Sequence, residues 1–378
     1  MGRLSDENSK YVMEKVLITV LDSVGPTSMP FNEFVLWRAK HCVKEKQILI
    51  VIGGNNVDPK GDFGNRLEVI RLGWNPFLIR KKVRQLLMNL RQDNISYSIH
   101  LHQLKSATIT QLSMLGTGFR KKTIFTVHST FSGYALHNKI QSYFNGLMAR
   151  YVACVSEASY AKYPKSLKQK KGNRIFAIRN GVDVDRIDSV LSESVCNKEK
   201  GIVQFIYVAR IIPLKNHAFL VDAIKDSSPQ AHFLFVGKEG DGSIKNLIKE
   251  AGLEDRIKLT GLIPRKEVFE QLSNADVYVS SSTLEGMPIS VLEAMYCKLP
   301  AILSNIPQHL EIGGNTKYVS YLPFEKDAWV KEINKYVEMS DDERRHRGEE
   351  GKKYVEENFS LRAMHQRYTE IYNILRKC

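Results

Sequence analysis

The fold is decided by residues 276–304, DVYVSSSTLEGMPISVLEAMYCKLPAILS. An apolar run, Val277–Ser280, breaks into a small polar loop, Ser281–Gly286. Pro288 then suits the first turn of a helix, where its missing N–H has no partner to lose. The helix stops near Cys297–Lys298, and a second apolar run follows at Pro300–Leu303. Strand, helix and strand in so short a span predict a βαβ unit. Two carboxylates lie in it, Glu285 in the loop and Glu293 inside the helix, between Val291, Leu292, Ala294 and Met295. A carboxylate in such company sits at the solvent edge or holds hydrogen-bond donors, because an unpaired buried charge is costly. The N–H groups of residues 287–290, Ile289 and Ser290 among them, offer an anion site at the helix start. On spacing alone the plainer explanation wins, a surface loop acid and a helix-dipole partner, because two glutamates eight apart are common.

The same alternation extends outward in both directions. Strand-like runs at Lys15–Leu21, Gln47–Ile52, Ser96–His102, Thr123–His128, Val152–Ser156 and Arg174–Ile178 alternate with helical spacing, and Leu67–Leu72 reads as a further short strand. Phe34, Trp37, Ala39 and Val43 mark the apolar side of the first helix. A polar stretch, 185–200, reads as a linker. Alternation restarts at Val203–Val208, and from Lys326 onward the pattern is helical only. The expected fold is α/β, with two Rossmann-like doubly wound domains facing across a cleft. Their boundaries are expected at 1–184 and 201–357, with a final segment at 358–378. Ligands in such sheets bind beyond the carboxyl ends of the strands.

Composition narrows the partners. The net charge is +14 over 378 residues. Residues 1–182 hold 28 Lys and Arg against 11 Asp and Glu; the remainder holds 27 against 30. The whole excess therefore lies in the first half, which should face an anionic surface. Residues 76–91, PFLIRKKVRQLLMNLR, combine Leu78, Ile79, Val83, Leu86, Leu87 and Leu90 with Arg80, Lys81, Lys82 and Arg84. That is the composition of an interfacial helix, although any sheet-covering helix is amphipathic too. Nucleic acid is not expected, since no aromatic-interleaved basic motif is present. Five scattered cysteines without metal spacing fit a reduced, cytoplasmic protein. No signal-peptide core and no apolar run of membrane-spanning length occur, so the expected location is peripheral, on the inner face of the membrane.

Several residues carry chemistry at expected strand ends. Arg210 follows a strand and Lys215 opens the next helix, a pairing suited to a diphosphate or to a merely solvated face. His100 and His102 share one side of a strand, and His128 ends another. A metal would need a third ligand, and none is evident. Gly25, in VGPTSMP, lets a backbone approach a phosphate; an ordinary turn is the alternative.

Taken together, VARIIPLKN, Glu285-x7-Glu293, the long stretch from Phe235 to Ile312 and NGVD at 180–183 resemble the family 4 retaining glycosyltransferases of the GT-B fold, the glycosyl transferases group 1. The resemblance implies that Glu293 holds the donor ribose and Glu285 the donor sugar. It implies that Arg210 and Lys215 neutralise the departing diphosphate, and that backbone at Leu262 and Ile263 reads the base. Ile289 and Ser290 would join donor binding. His128 would meet the sugar near the reacting centre, and the last helix would cross back to the first domain. Ala209 stands where the family has Gly, and GPTSMP replaces its double-Gly loop. The expected activity is hexosyl transfer from a nucleotide-diphosphate sugar, a UDP-sugar first, to a lipid-linked or polysaccharide acceptor for cell-surface glycan. No metal and no cofactor are expected. A nucleotide-sugar epimerase of the same architecture, or a catalytically dead binder of anionic lipid or nucleic acid, are the alternatives. An oxidoreductase is disfavoured, because no GxGxxG follows either first strand.

Overall fold

The structure is a computed structural model that describes residues 15–24, 30–53, 63–194, 198–199, 201–313 and 317–378. Gly25 lies outside the described residues. The first sheet comprises β1 (Lys15–Leu21), β2 (Glu45–Val51), β3 (Leu67–Arg71), β4 (Ser96–Leu101), β5 (Thr123–Val127), β6 (Tyr151–Cys154) and β7 (Ile175–Ala177). The second comprises β8 (Val203–Val208), β9 (Ala231–Val236), β10 (Ile257–Gly261), β11 (Val277–Ser280), β12 (Ala301–Ser304) and β13 (Val319–Leu322). Every pairing is parallel, in the orders β3-β2-β1-β4-β5-β6-β7 and β10-β9-β8-β11-β12-β13. The strand order therefore reverses between β1 and β4, and again between β8 and β11. Those are the switch points where doubly wound sheets bind ligands.

The apolar strands exist because both faces are covered. In β1 only Lys15 is exposed. On one face Val16, Ile18 and Val20 pack under the helix Pro76–Gln92, which buries Ile79, Val83, Leu87 and Leu90. Each such burial is worth roughly 1.5–3 kcal/mol. Asn75 caps that helix, its side chain accepting from the Phe77 and Leu78 N–H groups at 3.0 and 3.2 Å. On the other face Leu17 and Ile124 meet Tyr368, Tyr372 and Leu375 of the last helix, Leu361–Arg376. The chain thus returns to the first sheet after completing the second.

The return passes NGVD. The Val182 N–H donates to the Phe359 carbonyl at 2.7 Å, and the Leu361 N–H to the Val182 carbonyl at 2.9 Å. A Cβ on Gly181 would lie 2.5 Å from the Ser360 oxygen, so only glycine allows this crossing. A buried ionic cluster fastens the last helix. Glu45 pairs with both Arg38 and Arg376. Burial alone would push its carboxyl up, but the two guanidiniums outweigh burial and hold it down at about 2.

Two local expectations differ. A helix, Val184–Leu191, occupies the first half of the polar stretch 185–200, capped by Asp183, whose side chain accepts from the Arg186 N–H at 3.2 Å. The first helix ends at His41, so Val43 lies beyond it and is exposed.

Candidate functional site

The opening stretch folds as β11, a loop, the helix Ile289–Tyr296 and β12. Its loop is fastened from below. The Tyr207 hydroxyl donates to the Lys215 carbonyl (2.9 Å), and Ser281 Oγ to that same carbonyl (3.1 Å). This holds Lys215 at the carboxyl end of β8, where its ammonium pairs with Glu285. Arg210 stands at the same strand end, exposed and without an ion pair among the described residues. The Ile289 N–H turns back to the Met287 carbonyl (3.0 Å), so one of the three N–H groups expected to face an anion is spent locally. The Ser290 hydroxyl accepts from Tyr278 (2.9 Å). Leu262 and Ile263 follow β10, with Leu262 exposed.

The first domain presses on this loop. Thr130 Oγ1 donates to the Glu285 carbonyl (2.8 Å), and Ser156 Oγ to the Gly286 carbonyl (2.9 Å). A Cβ on Gly286 would sit 2.3 Å from the His128 oxygen. Glycine here lets the two backbones touch, and the contact brings His128 beside Glu285. The His128 ring shares a hydrogen bond with His102 (Nε2 to Nδ1, 2.9 Å), one nitrogen donating and the other accepting. The His102 ring lies against His100, tilted by 35° with ring centres 3.8 Å apart. His100 in turn spends both ring nitrogens, on Tyr372 and on Thr126, each at 2.7 Å. It has none left for a metal. Burial lowers all three histidines, His128 to about 3. His128 is therefore a neutral hydrogen-bonding group at physiological pH, not a cation. A cavity of about 400 Å³ opens on it, bounded also by Asp22, Gln103, Lys105, Tyr134 and His137.

Glu293 is buried, 2 % exposed, and is gripped by Arg265 from the first turn of the helix Arg265–Asn274. Arg265 Nη1 donates to Oε2 at 3.0 Å, and Nη2 to Oε1. Arg265 also lies 3.6 Å from Glu33 of the first domain, which takes Arg186 Nη1 at 2.8 Å. Sequence reasoning missed Arg265, Glu33, Thr130 and Ser156. Only Arg265 carried a signal, as the first charge after the stretch expected to read the base.

These parts meet at both switch points, and comparison with known proteins gives them a family. Residues 193–354 match the family described as Glycosyl transferases group 1. That match takes in most of the second domain. The chain is 25% identical over 256 residues to an uncharacterized glycosyltransferase of Methanocaldococcus jannaschii, a match covering 60% of each chain. It is 32% identical over 148 residues to the UDP-Gal:alpha-D-GlcNAc-diphosphoundecaprenol alpha-1,3-galactosyltransferase of Escherichia coli, covering 35% of this chain and 37% of that one. Neither match reaches two thirds of the relative's length. Among solved structures it resembles Anabaena Alr3699/HepE in complex with UDP and glucose. There the TM-score is 0.72 at 15% identity, over 95% of this chain and 99% of that one. The chain thus has the two-domain GT-B fold.

Proposed function

We propose that the protein transfers a hexosyl group, with retention, from a nucleotide-diphosphate sugar, a UDP-sugar first, to a lipid-linked or glycan acceptor in cell-surface glycan synthesis. One observation carries the reading: Lys215 and Glu285 are paired at the β8–β11 switch point, against the His128 backbone of the opposite sheet. Loss of the donor's diphosphate leaves an electron-poor sugar carbon and a growing negative charge on the leaving oxygen. Stabilising that charge is the dominant need. Lys215, Arg210 and the start of the helix Ile289–Tyr296 supply it from fixed positions. Glu285 orients Lys215 and meets the sugar hydroxyls; Glu293 takes the ribose; backbone at Leu262 and Ile263 faces the base. Neutral His128 serves as a hydrogen-bond partner to the sugar. The reading needs no metal.

The cavity on His128 suits the acceptor. Its wall helix, Leu136–Met148, also exposes Leu136 (75%) and Ile140 (62%), an apolar rim fit for a lipid-linked sugar. Nearby the helix Pro76–Gln92 turns Phe77, Leu78, Arg80, Lys81 and Lys82 outward. Apolar tips among cations favour an anionic membrane, which supports peripheral binding at the inner face. Arg84 has another task, its guanidinium donating to the Ser113 and Leu115 carbonyls (2.9 Å each). Among the described residues no helix is long and apolar enough to cross a membrane.

The test is Lys215→Met. With UDP-glucose, UDP-galactose and UDP-N-acetylglucosamine as donors and a membrane lipid extract as acceptor, product is assayed by chromatography and anomeric configuration. Loss of one fixed charge-stabilising donor lowers turnover about 10²–10³-fold. Unchanged turnover would remove the leaving-group role. Free epimerised donor in the absence of acceptor would favour the epimerase.

A further inference from the structure

We infer that Arg265 is a positioning residue: it holds the Glu293 carboxylate to receive the donor's ribose diol, and it links that contact to the first domain through Glu33. The inference rests on the donor reading above and adds to it the means by which Glu293 is made ready.

The geometry is specific. Arg265 gives one η nitrogen to each oxygen of Glu293. A carboxylate offers about four acceptor positions, so this fork takes one on each oxygen and leaves one on each. Two vicinal hydroxyls need that arrangement. Burial pushes the Glu293 carboxyl up toward its neutral form, and Arg265, with a smaller share from Arg186, is the charge that opposes it. A neutral carboxyl would lose acceptor capacity and the stronger, charge-assisted bond. The guanidinium is itself held in place. It lies over the Phe269 ring, 4.7 Å from its centre, and begins a helix directly after Leu262, Ile263 and Pro264. The residue that aligns Glu293 is therefore tied to the backbone expected to read the base.

The network then leaves the second domain. Glu33, 5% exposed, stands on the helix Pro30–His41 of the first domain, and Arg186 on the helix Val184–Leu191, whose Ile187 is buried in the second sheet's core. Arg186, Glu33, Arg265 and Glu293 form a chain of alternating charge across the two domains. Two positive and two negative charges balance, which is what burial requires. Opening the domains separates Glu33 from Arg265, leaving Arg265 and Glu293 to each other.

Matched ligand pairs test this without relying on turnover. UDP, GDP and ADP, each beside its 2′-deoxy form, are titrated by calorimetry into wild type, Arg265→Met, Arg265→Lys and Glu33→Gln. Wild type should prefer the ribo form of whichever diphosphate it binds by about 10–100-fold, the size of one hydrogen bond to a charged acceptor. In Arg265→Met the preference should fall to about threefold or less, since the loss follows directly from that bond. Arg265→Lys keeps the charge but not the fork and should fall between. Glu33→Gln should weaken both forms alike and keep the preference. A wild-type preference in Arg265→Met, or in Arg265→Lys should the former not fold, overturns the inference and leaves the donor reading intact. Glu33→Gln abolishing the preference overturns the division of roles. Failure of wild type to bind any of the six overturns the donor reading and the inference together.

Discussion

Replacing Glu45 by Gln should unfasten the last helix from the first sheet. Glu45 lies between Arg38 and Arg376, whose side chains are 1% and 5% exposed. Its carboxyl is held at about 2 against an ordinary 4.5. That displacement of about 2.5 pH units is worth about 3 kcal/mol at neutral pH. Leaving two buried guanidiniums without their counter-charge gives a similar figure, about 3–5 kcal/mol. The first domain's melting temperature should therefore fall by about 6–12 °C. The pH dependence carries the sharper test. Because the folded pKa is depressed, the stabilisation is complete above about pH 4.5 and disappears as pH falls toward 2. The gap between wild type and Glu45→Gln should be constant from pH 7 to 5 and close below that, as followed by calorimetry at half-unit intervals. A gap under about 1 °C at pH 7, well below the effect worked above, or one that stays open to pH 3, would refute the reasoning. The consequence reaches the site. The same helix carries Tyr372, bonded to His100, which lies beneath the His102–His128 pair.

Gly286→Val places a side chain where a Cβ already lies 2.3 Å from the His128 oxygen. The loop and the first domain must part, so donor turnover should collapse while far-ultraviolet circular dichroism stays as in wild type. Replacing Arg80, Lys81 and Lys82 together by Gln should weaken sedimentation with phosphatidylglycerol vesicles about 100-fold, at about 1 kcal/mol for each cation. Neutral phosphatidylcholine vesicles should show no such difference. Arg84→Gln should instead lower the melting temperature, since its guanidinium binds carbonyls of the neighbouring helix end.

Much of the architecture could be read along the chain, and the reason is local. Parallel strands buried on both faces are apolar runs, and their ends fell within about two residues of expectation, as boundaries do. The helix Val184–Leu191 escaped because its apolar residues, Val184, Ile187 and Leu191, form one narrow stripe among charges. Its cap, Asp183, was the available clue. Glu285, Glu293, Arg210 and Lys215 came forward through the family resemblance, since spacing alone left each with an ordinary structural explanation. Arg265 and Glu33 did not, because a helix's first charge and a helix's first-turn acid are ordinary wherever they occur. Their meaning lies in a contact between residues 232 positions apart.

The histidines make the same point from the opposite side. Alternation along β4 correctly puts His100 and His102 on one face, but it cannot say what covers that face. The cover is Tyr372, 272 residues away, on a helix whose return depends on Gly181. Once that hydroxyl and Thr126 occupy His100, the pair cannot be half of a metal site. Its remaining use is mechanical: a buried neutral stack supports the ring of His128 from below. A histidine needed as a neutral partner must be kept from charging, and burial beneath a helix does so without a nearby acid. The crossing helix therefore belongs to the site as well as to the fold. Tyr372→Phe, which keeps the ring and removes only the hydroxyl, separates the two roles. Packing should survive, but the orientation of His100, and through it of His128, should loosen. The expected outcome is a fall in donor turnover with a melting temperature within about 3 °C of wild type, since one lost neutral hydrogen bond is worth about 1 kcal/mol. Full turnover in Tyr372→Phe would show that the stack bears no load on His128.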